Sequence, residues 1–166
     1  SNHSNKATNH FTAEYDETLP ILTGDEQKLE QVVINLLQNA CQALSNPGKR
    51  ISLRTFFDQQ LDMVAIEVKD EGAGIPTELL PRIMDPFFTT KRDTGGTGLG
   101  LSVSSKIVQD HGGRISVRTK EGEGAVFTIL LPRINTDEKI KILVADDDET
   151  IREMLTLLLQ KDGHFS

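Results

Sequence analysis

The chain has 166 residues, 37% hydrophobic and 26% charged, which suits one well-buried domain with a small appendage and excludes disorder throughout. A formal net charge of −7 argues against a broad nucleic-acid or anionic-membrane surface, because such binding rests on clustered Lys and Arg; an anionic ligand has to be held locally. The single cysteine, Cys41, cannot close an internal disulfide, and no stretch approaches the roughly 18 apolar residues of a membrane span, so the chain reads as cytoplasmic, with no direct membrane contact.

Residues 1 to 10 are polar and read as a flexible N-terminus in which Ser1 and Asn2 have the form of a cloning scar; FTAEY after them is expected as an edge strand. From Gln27 to Leu44 apolar residues recur at Leu29, Val32, Val33, Leu36, Leu37, Ala40 and Leu44, the spacing of one helix face, and Asn46, Pro47 and Gly48 end it. Two β-rich runs, ISLRTFF at 51–57 and MVAIEVK at 63–69, suit a hairpin, and the second runs directly into DEGAGIP. TELLPRIMD predicts a short helical stretch, FFTTKRDT a polar loop, and Leu99, Val103 and Ile107 a second helix closed by His111, Gly112 and Gly113. RISVRT and AVFTILL form another hairpin across EGEG. INTDE at 134–138 reads as a linker, and KIKILVA with TIREMLTLLLQK as the opening of a second α/β unit. The order strand, helix, hairpin, loop, helix, hairpin favours a two-layer α/β sandwich, a mixed sheet with helices on one face.

Three places carry chemistry. Asn39 lies at the edge of the first helix's apolar stripe with Asn35 one turn earlier; its amide oxygen either coordinates a hard cation such as Mg²⁺, arriving with substrate phosphates, or is a surface group. Asp70 stands at a strand tip, and Gly72 and Gly74 let backbone approach a flat ligand; the carboxylate either accepts a hydrogen bond from an exocyclic amine or sits solvated in a tight turn. Four glycines, Gly95, Gly96, Gly98 and Gly100, crowd six positions at a helix mouth. Their spacing matches neither the dinucleotide fingerprint nor a P-loop, which leaves free amides and a positive dipole end as an anion site.

Taken together, NLLQNA at 35–40, DEGAGIP, DPFFTTK and GGTGLGLS resemble the N box, first glycine box, phenylalanine box and second glycine box of sensor histidine kinases, in order, over residues 11–133. The resemblance implies the Bergerat or GHKL ATP-binding fold, with ATP and Mg²⁺ as cofactors. It makes Asn39 the Mg²⁺ ligand, with Asn35 nearby, and Asp70 the reader of the adenine amine. Gly72, Gly74 and Ile75 then floor the pocket. Phe87 and Phe88 would anchor a lid from Thr89 through Thr90 and Lys91 to Gly96, and Thr97, Gly98, Leu99, Gly100 and Leu101 would cradle the phosphates. Many members carry a Lys where this chain has Gln42, so Lys91 and Arg92 are the substitute phosphate contacts. Candidate catalytic residues are therefore Asn35, Asn39 and Lys91.

Clamp-type relatives of the same fold place a Glu general base where this chain has Asn35, an amide that cannot take a proton, which favours the kinases; the alternative is a clamp or sensor using ATP as a conformational ligand. None of His3, His10, His111 and His164 sits in a phosphoacceptor setting, so the implied partner is a separate dimerisation and histidine phosphoacceptor domain of a homodimeric parent. ILVADDDE resembles the first strand of a response-regulator receiver, with Asp146 and Asp147 as its acidic metal-binding pair, so residues 139–166 read as a truncated receiver. That segment is expected to be disordered or to dock through Ile151, Met154, Leu155 and Leu158.

Overall fold

The structure is a computed structural model, and it describes residues 8–19, 24–86, 88 and 100–133. The first helix, α1, covers Glu26–Ala43. The Asp25 carboxylate caps it by accepting from the Lys28 N–H at 3.1 Å, and Glu26 adds negative charge at the positive dipole end. Leu29, Val32, Val33, Leu36, Leu37, Ala40 and Cys41 form one buried stripe, and the helix stops where Leu44 turns extended ahead of the Asn46-Pro47-Gly48 loop. The second helix, α2, covers Gly100–Asp110. Its end is a Schellman motif: Gly112, at φ 77°, donates to the Gln109 carbonyl and Gly113 to that of Val108, both at 2.9 Å. His111 then ties the helices together. Its Nδ1 lies 2.7 Å from the Ile107 carbonyl, and its Nε2 accepts from the Asp25 N–H at 2.9 Å.

Among the described residues, five strands form one sheet: β1 His10–Glu14, β2 Arg50–Asp58, β3 Met63–Asp70, β4 Arg114–Thr119 and β5 Ala125–Pro132. Their spatial order is β1-β2-β3-β5-β4, with β1 parallel to β2 and every other pair antiparallel, so the sheet is mixed, with β1 at one edge as expected. Alternation sends Ile51, Leu53, Val64, Ile66, Val68, Phe127, Ile129 and Leu131 toward α1 and α2, where they form the core with Val108. On the far face Phe56, Ala65, Leu130 and Arg114 stand in one cross-strand row. Long side chains roof that face: Arg54 lies 4.3 Å from the Phe56 ring centre, and Arg114 reaches the Met63 sulfur.

The short helical stretch expected at TELLPRIMD is present over its first six residues. Thr77–Arg82 is a 3-10 helix containing Pro81, whose missing N–H and ring clash prevent an α-helical ladder. Ile83 is buried behind it, with Leu80 and Met84 packed on the core. Ordered pairing starts before residue 11, since the Thr8 hydroxyl donates to the Lys49 carbonyl and the Asn9 N–H to that of Pro47. No helix among the described residues is long and apolar enough to cross a membrane. The expected linker at 134–138, the receiver-like segment at 139–166 and the lid loop at 89–96 lie outside the described residues.

Leu37, fully buried where α1 meets the sheet, tests this core. Leu37→Ala should cost about 2–5 kcal/mol of unfolding free energy through lost burial and a cavity, read as a lower urea midpoint at unchanged slope.

Candidate functional site

Along one side of α1, Asn35, Asn39 and Ala43 follow at four-residue spacing, so a polar edge about 12 Å long runs beside the buried stripe. Its two ends touch the two glycine-rich segments. At the first end, Asn35 Nδ2 donates to Ser104 Oγ at 3.1 Å and lies 3.5 Å from the Gly100 carbonyl, while Asn35 Oδ1 accepts from Gln31 Nε2 at 2.8 Å. Ser104 is completely buried. These contacts hold the first turn of α2 against α1. At the other end the Ala73 N–H donates to the Ala43 carbonyl at 3.3 Å. Gly72 packs so closely on that carbonyl that a Cβ would collide with it and with Asp70 Oδ1, which explains the glycine sterically. Asn39, half-buried, lies between the two ends.

Asp70 closes β3 and is only 2% exposed. In register it stands between Ile51 and Ala125 on the helix-covered face, at the end of the core rather than in a solvated turn. Its Oδ1 accepts from the Gly72 N–H at 2.8 Å. A carboxylate this deep is costly unless donors surround it, so its position restricts what can lie against it to hydrogen-bond donors. The loop that follows is pinned on both sides. Glu71 N–H donates to the Arg50 carbonyl at 3.0 Å, Gly122 N–H to that of Ala73 at 2.6 Å, and Ile75 N–H to Thr119 Oγ1 at 2.9 Å. Gly74, at φ 73°, faces the Lys120 carbonyl, where a side chain has neither the conformation nor the room.

Ile75 and Leu101 are half-buried and pack against the core. Phe88 does the same, with the Arg82 guanidinium 4.8 Å from its ring centre and its own N–H on the Asp85 carbonyl at 3.2 Å. Among the described residues, no atom lies within 4 Å of where a Cβ on Gly100 would stand. The mutual hydrogen bond of the exposed Lys106–Asp110 pair, 2.8 Å long on the solvent side of α2, lowers the pKa of the Asp110 carboxyl and raises that of the Lys106 ammonium.

The structure thus brings together Asn35 with Gly100, and Asp70 with Gly72, Gly74 and Ile75, with α1 and Asn39 spanning the interval. Phe87, Thr89, Thr90, Lys91, Gly96, Thr97, Gly98 and Leu99 lie outside the described residues, as do Asp146 and Asp147. Sequence reasoning missed Ser104 and Thr119. Ser104 carries a readable signal, a small polar residue on the apolar side of α2, whereas Thr119 looks like any strand residue.

The family model described as histidine kinase-, DNA gyrase B- and HSP90-like ATPase matches residues 24–135. The chain belongs to this family. Sensor histidine kinase ZraS of Salmonella typhimurium (strain LT2) is 47% identical over 124 residues, which cover 75% of this chain and 25% of that protein. The catalytic domain of histidine kinase ThkA, in a nucleotide-free form, is 37% identical with a TM-score of 0.63, over 75% of this chain and 80% of that one. Full-length ShkA in complex with AMPPNP is 27% identical with a TM-score of 0.63, over 75% of this chain and 26% of that one. The chain spans a quarter or less of the curated relatives it matches. Its mixed sheet and two helices are the GHKL ATP-binding fold in its histidine kinase form, and the domain is an ATP-binding catalytic domain.

The Asn35–Ser104 contact has a measurable strength. In a double-mutant cycle on urea unfolding, Asn35→Ala and Ser104→Ala should show a coupling of about 0.5–1.5 kcal/mol, and strictly additive losses would mean the two side chains do not interact.

Proposed function

We propose that this chain is the nucleotide-binding catalytic part of a hybrid sensor histidine kinase in two-component signalling: it binds ATP with Mg²⁺ and presents the γ-phosphate to a histidine on a separate dimerisation domain. The observation that carries this reading is the buried Asp70 carboxylate at one end of the α1 edge, with Gly100 beside Asn35 at the other. In this reading Asp70 accepts from the adenine amino group, Gly72, Gly74 and Ile75 floor the base, and Gly96, Thr97, Gly98, Leu99, Gly100 and Leu101 receive the phosphates at the positive end of α2. Phe87 and Phe88 anchor a lid that includes Thr89, Thr90 and Lys91, with Lys91 meeting phosphate charge. ShkA, a relative solved with AMPPNP, supports a nucleotide in this fold.

Asn39 suits Mg²⁺ as a single hard oxygen donor. The described residues contain no cluster of three His, Cys, Asp or Glu side chains able to hold a metal, so the remaining coordination falls to phosphate and water, the arrangement that this ion favours. When bound, Mg²⁺ would neutralise phosphate charge and keep the triphosphate in line with the acceptor. Asn35, engaged with Ser104 and Gln31, has a positioning role here rather than that of a general base.

The chemistry asks little of acid–base groups. An imidazole nitrogen of the acceptor domain attacks the γ-phosphorus, a P–N bond forms, and the bond to the β-γ bridging oxygen breaks with its electron pair leaving on ADP. The chain's own residues orient the nucleotide and exclude water. Partners in this reading are the phosphoacceptor domain of a homodimeric parent and a response regulator or receiver, with this domain on the cytoplasmic side. The receiver assignment of residues 139–166, with Asp146 and Asp147 as its acidic pair, rests on sequence alone.

Mixing the chain with its parent's phosphoacceptor domain and ATP should yield acid-labile phosphohistidine; persistent binding without transfer would favour the clamp or sensor alternative. Asp70→Asn should weaken binding of an ATP analogue roughly 10- to 100-fold with the fold retained, since a hydrogen bond to a buried charge contributes about 1.5–3 kcal/mol. Asn39→Ala should remove the Mg²⁺ dependence of triphosphate binding. Both are read by competition with a fluorescent nucleotide, and wild-type behaviour in either variant would overturn that assignment.

A further inference from the structure

We propose that Thr119 is a positioning residue for the nucleotide: one hydroxyl at the end of β4 sets the shape of the 71–76 loop, and with it adenine affinity and selectivity. The inference rests on the reading of Asp70 as the adenine contact.

Thr119 pairs with Ala125, and Ala125 with Asp70, so the hydroxyl stands in the same cross-strand row as the buried carboxylate, two strands away and on the same face. Thr119 Oγ1 donates to the Gly124 carbonyl at 2.8 Å and accepts from the Ile75 N–H at 2.9 Å. A single side chain therefore joins the end of β4, the turn between β4 and β5, and the loop. Three other loop amides have their own partners: Glu71 on Arg50, Gly72 on Asp70 and Ala73 on Ala43. Those three bonds fix the near half of the loop to β2, β3 and α1. The far half is held from the turn, by Gly122 N–H on the Ala73 carbonyl and by Thr119 on Ile75. Losing the hydroxyl frees the Ile75 amide and the residue whose side chain would face the base, while the Asn35–Ser104 end of the site is untouched.

Serine preserves both hydrogen bonds, and valine keeps the shape but can make neither. In the full chain, Thr119→Val should speed hydrogen exchange at the Ile75 amide, weaken AMPPNP binding about 10-fold and compress the preference for AMPPNP over GMPPNP, and Thr119→Ser should restore all three. Thr119→Ala, expected to behave like the valine variant, replaces it if valine prevents folding. Faster exchange at Ile75 with unchanged affinity and selectivity would overturn the proposal and leave Thr119 a purely structural contact. So would a serine variant as defective as the valine one. Asp70→Asn is run alongside. If it binds AMPPNP like wild type, the adenine reading fails and this inference falls with it; if it binds weakly while Thr119→Val binds normally, only the Thr119 inference fails.

Discussion

An 18-residue helix, α1, has to meet two demands with one surface: bury a continuous apolar stripe against the sheet and keep a polar edge beside it. The stripe binds α1 to the sheet through residues that are almost wholly inaccessible, among them Val32, Leu36 and Leu37. Rotation of the helix about its axis would expose that stripe, so Asn35, Asn39 and Ala43 are held at fixed azimuth by hydrophobic burial rather than by their own contacts. Both glycine-rich segments are then referenced to α1, one through Ser104 and Gly100, the other through the carbonyl of Ala43. Geometry between distant parts of the chain is set by one rigid rod.

The sheet supplies the second fixed element. Asp70 is carried to the end of the core by the alternation of β3 and is flanked in register by Ile51 and Ala125, so its carboxylate cannot turn to solvent without breaking the strand pairing. A buried acceptor of this kind is a specificity device as much as a binding one, because a ligand that offers it a lone pair leaves a charge unsatisfied. The turn between β4 and β5 completes the arrangement by bracing the loop beyond Asp70 through Thr119 and Gly122.

How much of this was legible beforehand follows the range of the forces involved. α1 could be read within one residue at each end, since its 3.6-residue period and its stop signal are local, and both hairpins could be read from alternation. Parallel pairing of β1 with β2 could not, because only its edge character is written in its own residues. Pro81 explains why the short helical stretch expected there takes the 3-10 form over Thr77–Arg82. At the site, the motif residues could be named while their partners could not: Asn35 meets Ser104 across 69 positions and Ile75 meets Thr119 across 44, distances at which no local pattern operates. The family resemblance named the boxes, and the packing of α1 and the sheet explains why Asn35 meets Gly100 and Ala43 meets the loop after Asp70.

In the proposed function the two ends of the α1 edge form one site for a single adenine nucleotide. Calorimetric titration of the chain with AMPPNP and with GMPPNP, each with and without Mg²⁺, tests it most directly. Binding of AMPPNP should be saturable and one-to-one, strengthened by Mg²⁺, with the guanine analogue bound at least about 10-fold more weakly, since it would set a carbonyl against Asp70. Equal affinity for the two bases, or no binding by a chain shown to be folded, would contradict it.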